Sequence, residues 1–241
     1  MLGRRFALLL LFVPAAAFAV PRPLVLWLHG CGQTAASFAA QTGIASLAKR
    51  EDFAVLTPEQ SPWAHPLRCW RWFTEPGDGP RLRDLVETTL RRNPELDPRR
   101  VYVAGFSAGA AMAHALAVRY PEVFAAAFVH SGLGFAFAEN RWEVPWAMRF
   151  GALRGRRFSS ARALLADTGR TRVTPTLVVH GDRDVIVAPT NGVQILQQLE
   201  DIGSCSSKLV EVPGLEHQWA AGATTLAWNF FQEYENVSGS F

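Results

Sequence analysis

Cysteine is scarce in this 241-residue chain: only Cys31, Cys69 and Cys205 are present, and none stands in the C-x-x-C spacing of zinc and redox sites. H-E-x-x-H is missing as well, so neither a metal site nor a bound cofactor is expected. No segment has 18 consecutive apolar residues, which argues against a membrane-spanning helix. A large excess of one charge is also lacking. The net charge of +3 falls to 22 Lys+Arg against 21 Asp+Glu once Arg4 and Arg5 are set aside. The arginines cluster locally, at Arg91-Arg92, Arg99-Arg100 and in 154–157, where helix ends and solvated loops account for them, so no nucleic-acid partner is expected. Internal repeats and low-complexity stretches are absent, which excludes a solenoid or a disordered chain.

What is present is ordinary globular composition, 49% hydrophobic and 19% charged, with enough length for one well-filled core. The first 19 residues read differently. Arg4 and Arg5 form a basic start, 6–13 is an apolar run too short to span a bilayer, and Ala17-Phe18-Ala19 is a small-x-small cleavage site. This pattern predicts a signal peptide over 1–19, a mature single domain over 20–241, and a secreted or periplasmic protein without stable membrane insertion. In an oxidising compartment one pair of cysteines can bond, leaving the third free.

Along the mature chain short apolar runs alternate with helical patterns. Strands are predicted at 24–28, 53–56, 101–104, 124–130, 176–179 and 208–212, and helices at 34–49, 81–92, 108–120, 190–202 and 218–234. Near-continuous apolar strands separated by helices imply an α/β fold, a mostly parallel central sheet of about six strands with helices on both faces. Residues 61–80, rich in Pro, Gly and Trp, read as an ordered surface loop, and 131–172 as an insertion.

The chemistry-bearing residues gather where strands end. Val101 to Gly109 reads strand, then G-x-S-x-G, then helix, which lifts Ser107 above the sheet at the positive end of a helix and offers the Ala108 N–H to a developing oxyanion. A serine hydroxyl needs a positioned base to become a nucleophile. Of the later histidines, His114 lies two turns into the following helix and His180 closes a strand at Gly181. His217 sits in the loop between the last strand and the last helix and is the first choice, with His130 the alternative. An acid that orients the imidazole is offered by Asp182 or Asp184 in His180-Gly181-Asp182-Arg183-Asp184. Asp182 has a local role available in its own turn, and Asp184 adjoins the apolar Val185-Ile186-Val187. The turn Leu28-His29-Gly30-Cys31-Gly32-Gln33 follows the first strand and can supply a second oxyanion donor through the Cys31 N–H. A bond between Cys31 and Cys69 would fasten the Trp-rich loop beside it.

At these residues the chain resembles the polyhydroxybutyrate-depolymerase-like esterases, a group related to feruloyl and acetylxylan esterases within the α/β-hydrolase superfamily. The matching stretches are His29-Gly30-Cys31 with Gln33-Thr34, Pro58-Glu59-Gln60, Cys69-Trp70-x-Trp72-Phe73, Arg100 to Gly109, Tyr120 to Phe124, His180-Gly181-x-x-Asp184 and Gly214-x-x-His217-x-Trp219. The resemblance implies an α/β-hydrolase fold, a Ser107, Asp184, His217 triad, oxyanion donors at Cys31 and Ala108, and a Cys31–Cys69 disulfide. It further implies a small-molecule or oligomeric carboxylic ester as substrate: short-chain, hydroxyalkanoate-type, feruloyl or acetyl. Trp70, Trp72, Trp142 and Trp146 are candidates for an aromatic wall around the acyl group.

The chain departs from that pattern at Ala110, where a second glycine is usual, and at the shortened Gly77-Asp78-Gly79-Pro80. Residues 135–160 look individual to it. All three departures fall around the expected substrate cleft. No added polymer-binding module is read in the sequence, which argues against attack on solid polymer. Two other readings share the fold: a serine peptidase and a non-catalytic binding protein. The complete Ser, Asp and His set argues against the second.

Overall fold

In the computed structural model, which describes residues 8–11, 20–73, 77–152, 161–164 and 172–236, the short apolar runs become strands of one sheet. These strands are β1 (Leu8–Leu11), β2 (Arg22–Leu28), β3 (Ala54–Pro58), β4 (Leu96–Phe106), β5 (Ala126–His130), β6 (Thr176–Gly181) and β7 (Lys208–Val212). They lie in the order β1-β3-β2-β4-β5-β6-β7, with β2 to β7 parallel. The six parallel strands are those expected from the sequence. The additional strand, β1, lies inside the segment read as a signal peptide and pairs antiparallel with β3, Leu8 opposite Pro58 and Leu11 opposite Val55. The basic start and the cleavage site Ala17-Phe18-Ala19 lie outside the described residues.

Helices flank the sheet: α1 (Ala35–Thr42), α2 (Ile44–Glu51), α3 (Gly79–Arg92), α4 (Ala108–Arg119), α5 (Val144–Phe150), α6 (Thr190–Asp201) and α7 (Ala223–Phe231). Because successive strand residues face opposite sides, Leu24, Leu26 and Leu28 pack with Val101 and Val103 on one face, while Val25 and Trp27 pack with Tyr102 and Ala104 on the other. The first core is covered by α3, α4, α5 and α6, the second by α1, α2 and α7. Each fully buried aliphatic side chain stabilises such a core by about 1.5–3 kcal/mol.

The largest differences from the sequence reading are three. The single helix expected over 34–49 is two helices, because the chain turns left-handed at Gly43, φ 65°. The strand expected from 101 begins at Leu96, and its Asp97-Pro98 turn survives as an irregularity, since Arg22 pairs with Leu96 but Leu24 with Val101. The last helix starts at Ala223 rather than 218, leaving His217 to Gly222 as a loop.

This topology places the site. From β2 the chain goes to β3 on one side and then crosses to β4 on the other. The turn after β2 and the turn after β4 therefore open side by side at the C-terminal sheet edge, with Leu28 in register with Gly105.

Candidate active site

Ser107 occupies a turn that most residues avoid, with φ 55° and ψ −120°, between the end of β4 and the first residue of α4. The glycines on each side are required by close approach. A Cβ on Gly105 would collide with the backbone of Gly109, and a Cβ on Gly109 would collide with the carbonyl oxygens of Leu28 and His29. G-x-S-x-G is thus the sequence that lets α4 press against the end of β2 while the serine side chain is left projecting. The Ser107 N–H is held by the His130 carbonyl at 3.0 Å.

The loop after β7 brings His217 over this turn. His217 Nε2 lies 2.9 Å from Ser107 Oγ, and His217 Nδ1 lies 2.7 Å from Asp184 Oδ2. Asp184 is buried, and its other oxygen, Oδ1, accepts the backbone N–H groups of Ile186 and Val187 at 3.0 and 2.8 Å. Burial alone would raise the Asp184 carboxyl. The hydrogen bonds from His180, His217 and the Val187 N–H, with the His217 charge, outweigh it and hold the group below the usual carboxylate range. Asp182 does something else: its Oδ1 accepts the Gly214 N–H at 2.6 Å and so fixes the loop that carries His217. His180, which the sequence places only at a strand-closing turn, is a further neighbour of the carboxylate. Its Nε2 donates to the Val187 carbonyl at 2.9 Å and stands 3.5 Å from Asp184 Oδ2.

The turn after β2 faces the same place. Gln33 Oε1 accepts the Gly30 N–H at 2.8 Å, and the Gly32 N–H is taken by the Leu67 carbonyl at 2.6 Å. Among the described residues, the N–H groups of Cys31 and Ala108 have no acceptor and remain available to a ligand. His29, held neutral chiefly by burial, stitches the turn from below: Nδ1 donates to the Gly30 carbonyl and Nε2 accepts the Gln60 N–H. Cys31 is joined to Cys69 by a disulfide, as the resemblance implied, and Cys205 is free and exposed. Loop 61–73 is ordered by Asp78, which accepts from Gln60 Nε2, from the Arg71 N–H and from the Arg71 guanidinium, with Arg81 alongside. No sequence pattern marks Asp78 for this role, because its partners come from three separate stretches.

The other expected residues divide. Trp70 is fully buried and donates Nε1 to the His29 carbonyl at 2.9 Å, and Trp72 is buried against Phe73. For these two the expected cleft wall is corrected: their side chains fill the core beneath the turn, so they support the site without facing a ligand. Trp142 and Trp146 stand on the surface, 77% and 52% exposed, just before and within α5. His114 is a core residue bonded to Gln198. His130, the alternative base, is also buried, and its Nε2 accepts the Ala220 N–H. Burial first, then the nearby His180 and His217 charges, push His130 down to about 3 against the pull of Asp184. Among the described residues no group of three His, Cys, Asp or Glu is arranged to hold a metal ion, and no helix is long and apolar enough to cross a membrane.

A parallel sheet in this order, with a strained serine turn after β4 and a His–Asp pair behind it, is the architecture of the α/β-hydrolases. Solved structures with the same fold include an acetyl xylan esterase from Aspergillus awamori (TM-score 0.77, 21% identity, 88% of this chain and 90% of that one). Another is esterase PE8 (TM-score 0.69, 21% identity, 95% and 99%). Within that class the chain belongs to the family Esterase PHB depolymerase, whose sequence model matches residues 6–206. Its curated relatives include poly(3-hydroxyalkanoate) depolymerase C of Paucimonas lemoignei, 34% identical over 184 residues (73% of this chain, 44% of that one). Feruloyl esterase B of Thermothelomyces thermophilus is 28% identical over 193 residues (75% and 65%). The chain therefore spans about half to two thirds of the length of these relatives.

Proposed function

We propose that the protein is a serine esterase that hydrolyses carboxylic esters through an acyl-enzyme, with Ser107 as nucleophile, His217 as base and Asp184 as the acid that orients it. The observation that carries this is the continuous hydrogen-bonded chain from Ser107 Oγ through both ring nitrogens of His217 to Asp184 Oδ2, 2.9 and 2.7 Å long. Ser107 Oγ attacks the ester carbonyl carbon while His217 Nε2 takes its proton, and the Asp184 carboxylate stabilises the imidazolium. The tetrahedral oxyanion is received by the Cys31 and Ala108 N–H groups, at the positive end of α4. Collapse breaks the bond to the alcohol, which leaves with the proton from His217. Water activated by the same histidine then attacks the acyl-enzyme and releases the acid and Ser107.

Family membership supports ester substrates, and the relatives' names supply candidate classes: hydroxyalkanoate, feruloyl and acetyl esters. The exposed Trp142 and Trp146 are available to an apolar or aromatic acyl group. Export through the N-terminal signal segment, giving a secreted or periplasmic enzyme, accords with the disulfide. The test is hydrolysis of a chromogenic short-chain ester series and of methyl ferulate by the purified protein beside Ser107→Ala. Turnover by the wild type alone is expected. A folded wild type that hydrolyses none of these esters would defeat the proposal and bring the peptidase and binding readings forward.

A further inference from the structure

His130 touches both halves of the site without belonging to the hydrogen-bonded chain. Through its backbone carbonyl it holds the Ser107 N–H at 3.0 Å. Through its ring, Nε2 accepts the Ala220 N–H at 3.0 Å, three residues beyond His217, while Nδ1 faces Ser131 Oγ at 3.1 Å. An N–H aimed at Nε2 requires that nitrogen to be unprotonated, so the proton sits on Nδ1 and is donated to Ser131. The same ring stacks on Trp219, centroids 4.8 Å apart and 25° between planes, and Trp219 also packs on Trp27, Phe38, Phe106 and Phe128. His217 rides directly on this assembly, its ring 4.9 Å from that of Phe106.

Resting on the proposed reading of Ser107 and His217, we infer that His130 is a positioning residue: its Nε2 ties the His217 loop to the strand end that holds Ser107, and thereby sets the separation of nucleophile and base. The physical reason is economy of reference points. The loop from His217 to Gly222 has no strand or helix of its own to fix it. A loop N–H accepted by a side chain at the end of β5 is registered against the sheet, and the β5 carbonyl beside that side chain registers the serine turn against the same point. A displacement of about 1 Å between reacting groups is enough to cost roughly a hundredfold in rate.

The experiment compares His130→Phe, which keeps a ring for Trp219 but puts a C–H where the acceptor was, with His130→Gln, whose amide oxygen reaches that position. The readouts are the second-order rate of serine phosphonylation by a fluorophosphonate, which needs no knowledge of the natural ester, and the thermal midpoint. We expect H130F to react at least tenfold more slowly than wild type at a midpoint within a few degrees, and H130Q to recover to within about threefold. A folded H130F that reacts at the wild-type rate overturns the inference. So does an H130Q as slow as H130F, since the acceptor would then be irrelevant. Should H130F fail to fold, H130N, whose amide stops short of Ala220, replaces it in the comparison with H130Q, and equal rates overturn the inference. A wild type inert to the probe overturns the proposed function together with this one, whereas a reactive wild type with no variant effect overturns this one alone.

Discussion

Asp184 Oδ2 meets His217 Nδ1 at 2.7 Å, and the carboxylate is so fully occupied by His217, His180 and two backbone N–H groups that it has one orientation. Asp184→Asn should leave the fold intact, favour the wrong tautomer of His217, and reduce kcat by roughly three to four powers of ten. Asp182→Asn keeps an oxygen for the Gly214 N–H and should lose less than tenfold. Parallel kinetics of the two variants check this; equal losses would mean that the acid has been misassigned.

Gly109 has no room for a side chain, because its α-carbon faces the carbonyls of Leu28 and His29. Gly109→Ala should push α4 away from β2, destabilise the protein by about 1–3 kcal/mol and separate the Ala108 and Cys31 donors. The expected result is a lowered thermal midpoint with a further fall in kcat at temperatures where the variant is folded. Unchanged activity in a folded variant would contradict the close-approach explanation of the motif.

The disulfide between Cys31 and Cys69 closes a separation of 38 residues and pins the turn bearing the Cys31 N–H to loop 61–73. Cys69→Ser should lower stability by about 2–4 kcal/mol and, on the proposed assignment of the Cys31 N–H to the oxyanion, reduce kcat more than it raises KM. Cys205→Ser, at an exposed free thiol, should change neither. Thermal unfolding and steady-state kinetics of both variants, with and without reductant, separate the two cysteine roles.

Acid should destabilise the protein well above the range where carboxylates titrate. Burial keeps His29 neutral and pushes His114 and His130 down to about 4 and about 3. Unfolded, each takes up its proton near 6.5. Below pH 6.5 the unfolded chain therefore binds protons that the native chain refuses, and stability falls by about 1.4 kcal/mol per pH unit for each of His114 and His130, with His29 acting in the same direction. Above pH 6.5 this contribution is fully present. The depressed Asp184 carboxyl acts in the same direction lower down, its stabilisation present above about pH 3.9 and lost as the pH falls below that. Denaturant unfolding between pH 7 and 4.5 should show the decline, and His114→Gln should make it shallower; an unaltered slope would contradict the assignment to buried histidines.

Much of this architecture is legible in the residues themselves. The serine turn announces itself because an apolar strand, two obligatory glycines and an alanine-rich helix coincide within Val101 to Arg119. His217 and Asp184 stand out as candidates because each follows a strand, and the structure brings the two together at the same sheet edge. What escapes is whatever depends on long-range partners. Asp78 and Gln60 order the 61–73 loop through groups distant in sequence, and Trp70 and Trp72 carry the same aromatic signature whether they line a cleft or fill a core. The break at Gly43 is hidden because small and apolar residues continue at helical spacing on both sides of it. The run around Leu8–Leu11 is equally suited to an apolar leader segment and to an edge strand beside β3, since both need only a short apolar stretch.

The central claim is that Ser107 is the nucleophile activated by His217. It is tested most directly by treating the protein with a fluorophosphonate and locating the adduct by peptide mass mapping. One adduct per chain, on Ser107, abolished by Ser107→Ala and greatly slowed by His217→Ala, is the predicted result. No adduct on a folded chain, or an adduct at another residue that persists in Ser107→Ala, would contradict it.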